Sequence, residues 1–313
     1  MTWTTDDIAD LTGRRALITG VTGGLGTQIA RELARHGASL VVTARDAAKA
    51  EATVASVRAE TPGVEIDVVS LDLADLADVR RAAQEVLQRW DRIDLAINNA
   101  GIMIPPFRET VDGFELQIAT NHLGHFAWNA HLWPLLRDSS ARVVAVSSIA
   151  HTTVNGIDLR SLTPAGSPRR YKRWQSYGES KLANLLFSQE LHRRASAARL
   201  GVVSVAAHPG VASTELTKTG FGVGGGGPIG FLMHHGTHLV AQSARAGSLP
   251  VLQAATDPSL SGGEYLGPQG FRGMRGRPGP AGMTRTARDP ELARLLWEAS
   301  ENATGTPFPV AEG

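Results

Sequence analysis

A tyrosine and a lysine stand four residues apart in this chain, at Tyr177 and Lys181. Residues at this spacing share one face of an α-helix, so we expect the phenol and the ammonium group to lie close together. An unperturbed phenol has a pKa of about 10, which is too high for efficient proton transfer near neutral pH. A positive charge ~5 Å away favours the phenolate by about 3 kcal/mol at an effective dielectric constant of ~20, which lowers the phenol pKa by about 2. The pair could therefore donate the proton that a carbonyl oxygen takes up when its carbon receives hydride; the alternative is an ordinary pair of helix-surface side chains.

Ser148 follows an apolar run at residues 143–146. If that run is a strand of a parallel sheet, the serine lies at the carboxyl edge, where ligands bind in open α/β sheets. Its hydroxyl could hold a substrate oxygen beside Tyr177. Serines at strand ends are common, so this position alone is a weak indication.

A glycine-rich turn follows the first apolar run and includes Gly20, Gly23, Gly24 and Gly26. Glycines let the backbone turn sharply and approach a pyrophosphate, while the amides at the start of the next helix supply hydrogen-bond donors and the positive end of a dipole. The spacing is not G-x-G-x-x-G, so the motif alone is also compatible with an ordinary glycine-rich turn. Its place between the first strand and the first helix favours a dinucleotide-binding turn.

Arg45 stands just past the second predicted strand. In a dinucleotide-binding fold this position meets the adenosine ribose, where an acidic residue suits a 2′-hydroxyl group and an arginine suits a 2′-phosphate. Arg45 therefore favours NADP(H) over NAD(H), with a plain surface arginine as the alternative. We interpret Asp46 as the N-cap of the next helix.

Short apolar runs alternate with longer stretches of helical spacing. The runs cover residues 16–19, 40–43, 64–71, 93–97, 143–146 and 202–206, and the helical stretches cover residues 27–36, 47–60, 76–90, 115–136 and 176–197. This alternation predicts an α/β fold with one doubly wound parallel sheet and helices on both faces, which is a single-domain Rossmann fold. Its ligand crevice is expected at the carboxyl ends of the strands.

The last third of the chain departs from this alternation. Residues 221–228 and 270–282 are rich in glycine and are predicted to be loops. Residues 290–300 predict a final helix that packs through Leu292, Leu295, Leu296 and Trp297.

Composition excludes several classes of protein. The 313 residues carry 31 Lys+Arg against 30 Asp+Glu, so a nucleic-acid partner is not expected, and the absence of Cys removes disulfides, thiolate metal sites and thiol nucleophiles. The polar start of the chain and the lack of an apolar run of ~18 residues predict neither a signal peptide nor a membrane span, so we expect a cytoplasmic protein. No metal site is predicted, because neither His122/His125 nor His234/His235/His238 has a carboxylate or thiol at suitable spacing.

The order of these motifs resembles that of the short-chain dehydrogenase/reductase superfamily. The glycine turn at residues 19–26, the segment 98–101, Ser148, the Tyr177/Lys181 pair and the segment 208–210 follow one another as in that family, over roughly residues 12–266. Stretches 43–46, 112–115, 121–126, 180–184 and 208–211 resemble the retinol-dehydrogenase-like and WW-domain-oxidoreductase-like subgroup more closely.

The resemblance implies a catalytic role for four residues. Tyr177 is implied as the general acid/base, Lys181 as the residue that binds the nicotinamide ribose and lowers the tyrosine pKa, and Ser148 as the residue that orients the carbonyl. Asn121 is implied to support a proton-relay water beside Lys181, although it could instead mark a helix kink.

The resemblance also implies the coenzyme contacts. Asp72 is expected at the adenine, Asn99 at the adenosine ribose and Thr214 at the nicotinamide carboxamide; Asp72 as a cap and Thr214 as a turn residue are the alternatives. The complete implied coenzyme set is Gly20, Thr22, Gly23, Gly24, Leu25, Gly26, Arg45, Asp72, Leu73, Asn99, Ala100, Gly101, Tyr177, Lys181, Pro209, Gly210 and Thr214.

These observations predict an NADP(H)-dependent oxidoreductase of the carbonyl reductase type. It would move hydride between nicotinamide and a carbonyl or secondary alcohol of a hydrophobic small molecule, in a pocket lined by apolar residues; those expected nearby are Ile102, Met103, Trp128, Phe221, Phe231 and Met233. Trp128 could equally belong to a subunit interface. Within one domain of residues 1–313, we expect a coenzyme-binding and catalytic core at 12–210, a flexible substrate loop at 211–236, and a C-terminal lid and helix at 267–313.

Two other functions remain open from the sequence. One is a non-catalytic dinucleotide sensor or regulatory module, which the complete Ser148, Tyr177 and Lys181 set disfavours. The other is an epimerase or dehydratase, which tends to need a larger C-terminal domain than the ~100 residues after Pro209 provide. A homodimer or homotetramer is expected from the resemblance alone.

Overall fold

One eight-stranded sheet organises the computed structural model, which describes residues 3–164, 170–211 and 242–310. Its strands are β1 (Arg15–Thr19), β2 (Ser39–Ala44), β3 (Ile66–Ser70), β4 (Leu95–Asn98), β5 (Arg142–Val146), β6 (Val203–Ala207), β7 (Tyr265–Gly270) and β8 (Arg275–Pro280). They lie side by side in the order β3-β2-β1-β4-β5-β6-β7-β8. The direction of strand order changes between β1 and β4, so a crevice opens there at the carboxyl ends.

Helices cover both faces of the sheet. They are α1 (Gly24–Arg35), α2 (Ala47–Glu60), α3 (Leu76–Arg89), α4 (Leu116–Ile118), α5 (Gly124–Asp138), α6 (Arg173–Ala197), α7 (Ala244–Thr256) and α8 (Pro290–Thr304). Side-chain caps explain several of the starting points. Asp46 accepts a hydrogen bond from the Lys49 amide, and Asp75 accepts from the amides of Ala77 and Asp78.

The predicted doubly wound Rossmann sheet is confirmed, and its six predicted strands all appear within a few residues of the expected places. The prediction of a loop over residues 270–282 is wrong, because β8 pairs with β7 there as an antiparallel hairpin. Gly267 lies opposite Gly279 and Pro268 opposite Pro278. A segment rich in glycine and proline has no alternating hydrophobic pattern, so its sequence does not predict a strand.

A single predicted helix over residues 115–136 is interrupted in the structure. Between α4 and α5, residues Ala119–Leu123 form a π-helical turn, in which the Gly124 amide bonds back to the Ala119 carbonyl. Hydrophobic spacing does not distinguish such a turn from regular α-helix. The turn carries Asn121, the residue for which a kink was the alternative interpretation.

An aromatic cluster fills the core on the side of α5, α6 and α8. Phe126 meets the rings of Trp297 and Phe308 edge-on, at centroid distances of 5.1 and 5.4 Å. Trp128 is buried in the same core and does not line the cavity described below, which corrects its predicted place near the pocket and leaves it unavailable to another subunit. In α8, Leu296 and Trp297 are buried as predicted.

Leu295 is 37% exposed, so its predicted packing role is wrong. Leu295 lies on the solvent-facing side of α8, away from the face that packs against the core. None of the helices in the described part is both long and apolar enough to cross a bilayer.

Candidate active site

A cavity of about 1590 Å³ lies at the carboxyl edge of the sheet. Residues that end or follow six neighbouring strands line it, from the turn after β1 to the segment after β6. It brings together seventeen of the predicted site residues: Gly20, Thr22, Gly23, Gly24, Leu25, Gly26, Arg45, Asp72, Leu73, Asn99, Ala100, Gly101, Ser148, Tyr177, Lys181, Pro209 and Gly210. Residues predicted from distant parts of the sequence thus share one cavity.

Two predicted site residues fall elsewhere. Asn121 is fully buried behind the cavity wall. Thr214 lies outside the described residues, as do the predicted loop at 221–228, Phe231 and Met233.

The glycine turn leaves room where a phosphate would need it. Gly20 has φ +73, and a Cβ atom there would stand 2.7 Å from the Cα atom of Ala100. At Gly26 a Cβ atom would collide with the Gly20 carbonyl oxygen. Gly23, the N-cap of α1, has open space instead, with nothing within 4 Å of a Cβ position. The turn therefore presents bare backbone and a helix N-terminus to the cavity, which fits a dinucleotide pyrophosphate.

Two cationic side chains line the cavity near the end of β2. Arg45 is exposed just past β2, and Lys49 follows it in the first turn of α2. Between them, the Asp46 carboxylate accepts the Lys49 amide at 3.0 Å and lies 3.6 Å from the Lys49 ammonium. The Asp46 carboxylate thus caps α2, and the neighbouring Arg45 lines the cavity. Sequence reasoning missed Lys49, although its place in the first turn of the helix that follows Arg45 was a usable signal.

Asp72 lies where a contact to the adenine is predicted, and that contact stays a prediction. It lines the cavity, and its Oδ1 accepts a hydrogen bond from the Ala74 amide at 2.9 Å. It therefore closes a local turn before α3, whereas the N-cap of that helix is Asp75.

Tyr177 and Lys181 face the cavity from α6, as their spacing predicts. Both are buried, and the Lys181 ammonium lies 5.9 Å from the centre of the Tyr177 ring. The ammonium donates to the Val146 carbonyl oxygen at 3.0 Å. Burial lowers the pKa of Lys181 to about 8. At neutral pH the lysine therefore still carries its charge.

The pKa of Tyr177 moves in the direction opposite to the expectation. Burial raises the pKa of this phenol, and a hydrogen bond from Ser148 only partly offsets that effect. The sequence argument weighed the lysine charge but had no access to the cost of removing a phenolate from water. In this structure Tyr177 is therefore a protonated acid at neutral pH.

Ser148 is held at both its side chain and its backbone. Its Oγ caps the short 3₁₀ turn Ile149–Thr153 by accepting the Ala150 amide at 3.1 Å. Its carbonyl oxygen accepts from Nδ1 of His151 at 2.7 Å. The hydroxyl can accept this bond and still donate its one hydrogen, either to Tyr177 or to a substrate oxygen. Sequence reasoning missed His151, three residues after the serine.

Asn121 is tied to two neighbouring segments through its amide. Its Oδ1 accepts from the Ile102 amide at 2.8 Å, and its Nδ2 donates to the Ile102 carbonyl oxygen at 3.0 Å and to Ser180 Oγ at 2.9 Å. A Cβ atom on Gly101 would stand 3.1 Å from Asn121 Oδ1 and 3.3 Å from Lys181 Nζ. Asn121 thus lies in the kink and near the lysine at once. Its predicted support of a relay water stays a prediction.

The remaining cavity wall is mostly apolar. It includes Ile102 and Met103 as predicted, together with Ile149, Trp174 and Met274. Among the described residues, no group of three or more histidine or acidic side chains is placed to hold a metal ion.

Comparison with known proteins adds a family context to this geometry. A family model described as short chain dehydrogenase matches residues 14–158. Retinol dehydrogenase 13 from Homo sapiens is 36% identical over 310 residues, covering 96% of this chain and 87% of that protein. Polyprenol dehydrogenase from Mus musculus is 37% identical over 304 residues, covering 94% and 84%.

A solved structure shows the same relationship. The crystal structure of an uncharacterized protein from Mycobacterium paratuberculosis superposes with a TM-score of 0.79 at 40% identity, covering 99% of this chain and 100% of that one. The similarity therefore includes the C-terminal third and is not confined to the glycine turn.

Proposed function

The chain belongs to the short chain dehydrogenase family, in its retinol-dehydrogenase-like subgroup, and from this premise we propose the reaction of this oxidoreductase. It transfers hydride between NADP(H) and a carbonyl or secondary alcohol carbon of an apolar small molecule. One observation carries the proposal: Ser148, Tyr177 and Lys181 open onto the same cavity as the glycine turn. Proton donor and coenzyme surface then act on a single substrate.

Tyr177 is the general acid in carbonyl reduction. A bound nicotinamide coenzyme supplies hydride to the carbonyl carbon in this direction and accepts it in the reverse one. The carbonyl oxygen gains the hydroxyl proton of Tyr177, which leaves a phenolate. The raised pKa of Tyr177 keeps the donating form present at neutral pH, as this step requires.

Lys181 and Ser148 stabilise the two oxygen atoms that exchange the proton. The Lys181 ammonium, anchored on the Val146 carbonyl, is the nearby positive charge that favours the Tyr177 phenolate once the proton has left. The Ser148 hydroxyl, which bonds to Tyr177 in this structure, donates instead to the substrate oxygen and holds it toward the phenol. The same residues run the reverse reaction in the opposite order.

Arg45 and Lys49 give the preference for NADP(H) over NAD(H). Both line the adenosine end of the cavity, and the neighbouring Asp46 is occupied at the start of α2. Two cations recognise a 2′-phosphate group better than a 2′-hydroxyl group. The remaining coenzyme contacts are those implied for the glycine turn, Asp72, Asn99 and Pro209.

The first test follows NADPH and NADH consumption with a panel of apolar aldehydes and ketones, with Tyr177→Phe beside the wild-type protein. We expect turnover that prefers NADPH and is lost in the variant. Turnover that survives in Tyr177→Phe contradicts the mechanism, and a preference for NADH contradicts the role of Arg45. Tight NADPH binding without turnover of any substrate in either direction supports a dinucleotide sensor instead.

The assembly and location of the protein are proposals carried by the family resemblance. We propose a homodimer or homotetramer in the cytoplasm. Light scattering of the purified protein tests the assembly, and a monomer contradicts it.

A further inference from the structure

His125 is a buried histidine one helical turn after Asn121, with both ring nitrogens in use. Its Nδ1 lies 3.1 Å from the Asn121 carbonyl oxygen, and its Nε2 lies 2.8 Å from Oγ1 of Thr19. A carbonyl oxygen can only accept, so Nδ1 carries the proton and Nε2 accepts from the Thr19 hydroxyl. The imidazole is neutral in this arrangement.

Thr19, the last residue of β1, connects His125 to the loop after β4. Its Oγ1 accepts hydrogen bonds from the amides of Asn99 and Ala100, both at 3.0 Å. Two bonds are accepted and the single hydroxyl hydrogen is directed to His125 at 2.8 Å, with the Ile97 carbonyl oxygen as a longer alternative acceptor at 3.4 Å. A protonated imidazole would direct an N–H donor at the Thr19 hydroxyl, which already accepts two hydrogen bonds. The hydrogen bonds around His125 therefore favour the neutral ring.

The Asn121 side chain closes these contacts into a ring. It holds both polar backbone groups of Ile102, which follows the Asn99–Ala100 segment by two residues. The chain of contacts therefore runs from Thr19 through the 99–102 segment to Asn121, and from Asn121 through His125 back to Thr19. It joins the end of β1, the loop after β4 and the π turn.

The ring of contacts includes residues that line the cavity, and it passes close to Lys181. Asn99, Ala100 and Gly101 line the cavity. Gly101 lies against both the Asn121 amide and the Lys181 ammonium. A shift of the ring would move the cavity wall and the surroundings of Lys181 together.

We propose that His125 is a positioning residue, which by closing this ring fixes the 99–102 segment and Asn121 in the places required for coenzyme binding and for Lys181. The kinetic part of this inference rests on the proposed function, whereas the coenzyme-binding part does not. His125 itself touches neither coenzyme nor substrate; it acts through Thr19 and Asn121.

The test compares His125→Phe with His122→Phe. His122 lies in the π turn just before α5 and is also buried, but its Nε2 bonds to Ser300 Oγ of α8 at 2.8 Å and the residue does not line the cavity. We expect both variants to lower Tm, but only His125→Phe to raise the NADPH Kd by about tenfold and to lower kcat by about tenfold or more. Equal changes in Kd and kcat for the two variants would reduce His125 to a core residue and overturn the proposal.

Thr19 provides an independent arm that holds even if His125→Phe does not fold. Thr19→Ser keeps the hydroxyl and is expected to keep the NADPH Kd within about threefold of wild type, whereas Thr19→Val raises it by about tenfold. Adding His125→Phe to Thr19→Val should cost little more, because the ring is already open. Fully additive effects, or a harmless Thr19→Val, contradict the ring.

The two proposals can fail separately. If the wild-type protein binds NADPH but reduces no carbonyl compound, the proposed reaction is wrong, and the Kd comparison still decides the role of His125.

Discussion

The two ends of the cavity use positive charge in opposite surroundings. At the catalytic end Lys181 is buried, anchored on the Val146 carbonyl, and its pKa falls to about 8. At the adenosine end Arg45 and Lys49 are exposed to solvent, and Lys49 is balanced by Asp46. A buried charge acts strongly on a neighbouring phenol, whereas an exposed one contributes through contact with a charged ligand. In the proposed reaction the first end moves the proton and the second selects the coenzyme.

Removal of the phenolic hydroxyl tests the catalytic end most directly. Tyr177→Phe should lower kcat by about 10³-fold, since a positioned general acid contributes about 10²–10⁴-fold, while the NADPH Kd changes by less than about threefold. Steady-state kinetics and a binding titration measure the two quantities. The matched control is Tyr171→Phe, which removes a hydroxyl bonded to the Pro105 carbonyl at 3.0 Å. A similar kcat loss in both variants would deny Tyr177 its special role.

The glycine turn joins the two ends, and Gly20→Ala should damage both binding and folding. The new Cβ atom would meet Ala100 and would also sit at positive φ, so we expect a stability loss of about 2–4 kcal/mol and a clearly weaker NADPH affinity. Gly63→Ala separates the two causes, because Gly63 has φ +85 but open space around its Cβ position. Urea unfolding should show a loss of about 1 kcal/mol there, with unchanged affinity. Equal losses at the two positions would mean that close packing against Ala100 is unimportant.

Charge reversal at Arg45 sharpens the adenosine end of the comparison. Arg45→Asp should raise the NADPH Kd by about 10–100-fold, the equivalent of a charge-assisted contact, and leave the NADH Kd within about threefold. Titrations with both coenzymes measure the difference. Arg137→Gln is the control, since that arginine pairs with Asp138 outside the cavity. A parallel loss of NADH affinity would show that Arg45 does not read the 2′ position.

The buried histidines extend the comparison to pH. Burial lowers the pKa of His122 and His208 to about 3 and of His125 to about 4. At mildly acidic pH these histidines are therefore protonated in the unfolded chain but neutral in the folded chain. Their contribution is complete above pH ~6.5 and declines as pH falls, by about 2 kcal/mol per histidine at pH 5. In Asp94 and Glu190 the arginine hydrogen bonds outweigh the effect of burial and lower the pKa, so their stabilising contribution is lost progressively as pH falls below about 5.

Urea unfolding at pH 7.5 and pH 5 measures this dependence. In His122→Phe the difference between the two pH values should shrink by about 2 kcal/mol, because one histidine no longer titrates on unfolding. His36→Gln, at the partly exposed end of α1, is the control. Unchanged pH dependence in His122→Phe would contradict a neutral, buried imidazole at that position.

The coenzyme half of the fold could be predicted because its rules are local. The bare turn at Gly20, the cap at Asp46 and the shared helix face of Tyr177 and Lys181 each follow from a few neighbouring residues. The structure places the glycine turn, Tyr177 and Lys181 at one cavity, while Asp46 caps α2 beside it. Their roles in binding and catalysis stay predictions until the variants above are measured.

Other features have no local signal in the sequence and could not be predicted. The burial of Trp128 and the bond between His125 and Thr19 depend on residues distant in sequence, and the β7–β8 hairpin has no strand-like pattern. The predicted direction of the Tyr177 pKa shift was wrong because burial is a property of the packed molecule, which spacing does not reveal. Spacing identified which residues meet, but not the electrostatic environment in which they meet.

The antiparallel strand β8 also has a consequence for how the protein behaves in concentrated solution. Within the part of the chain that the structure describes, β8 is an edge strand, and such a strand offers unpaired backbone groups on which a second sheet could grow. In β8, Pro278 and Pro280 cannot donate backbone hydrogen bonds, and Arg275 and Arg277 are exposed beside them. The composition that hid this strand from sequence reasoning is therefore the composition that protects the sheet against edge-to-edge aggregation.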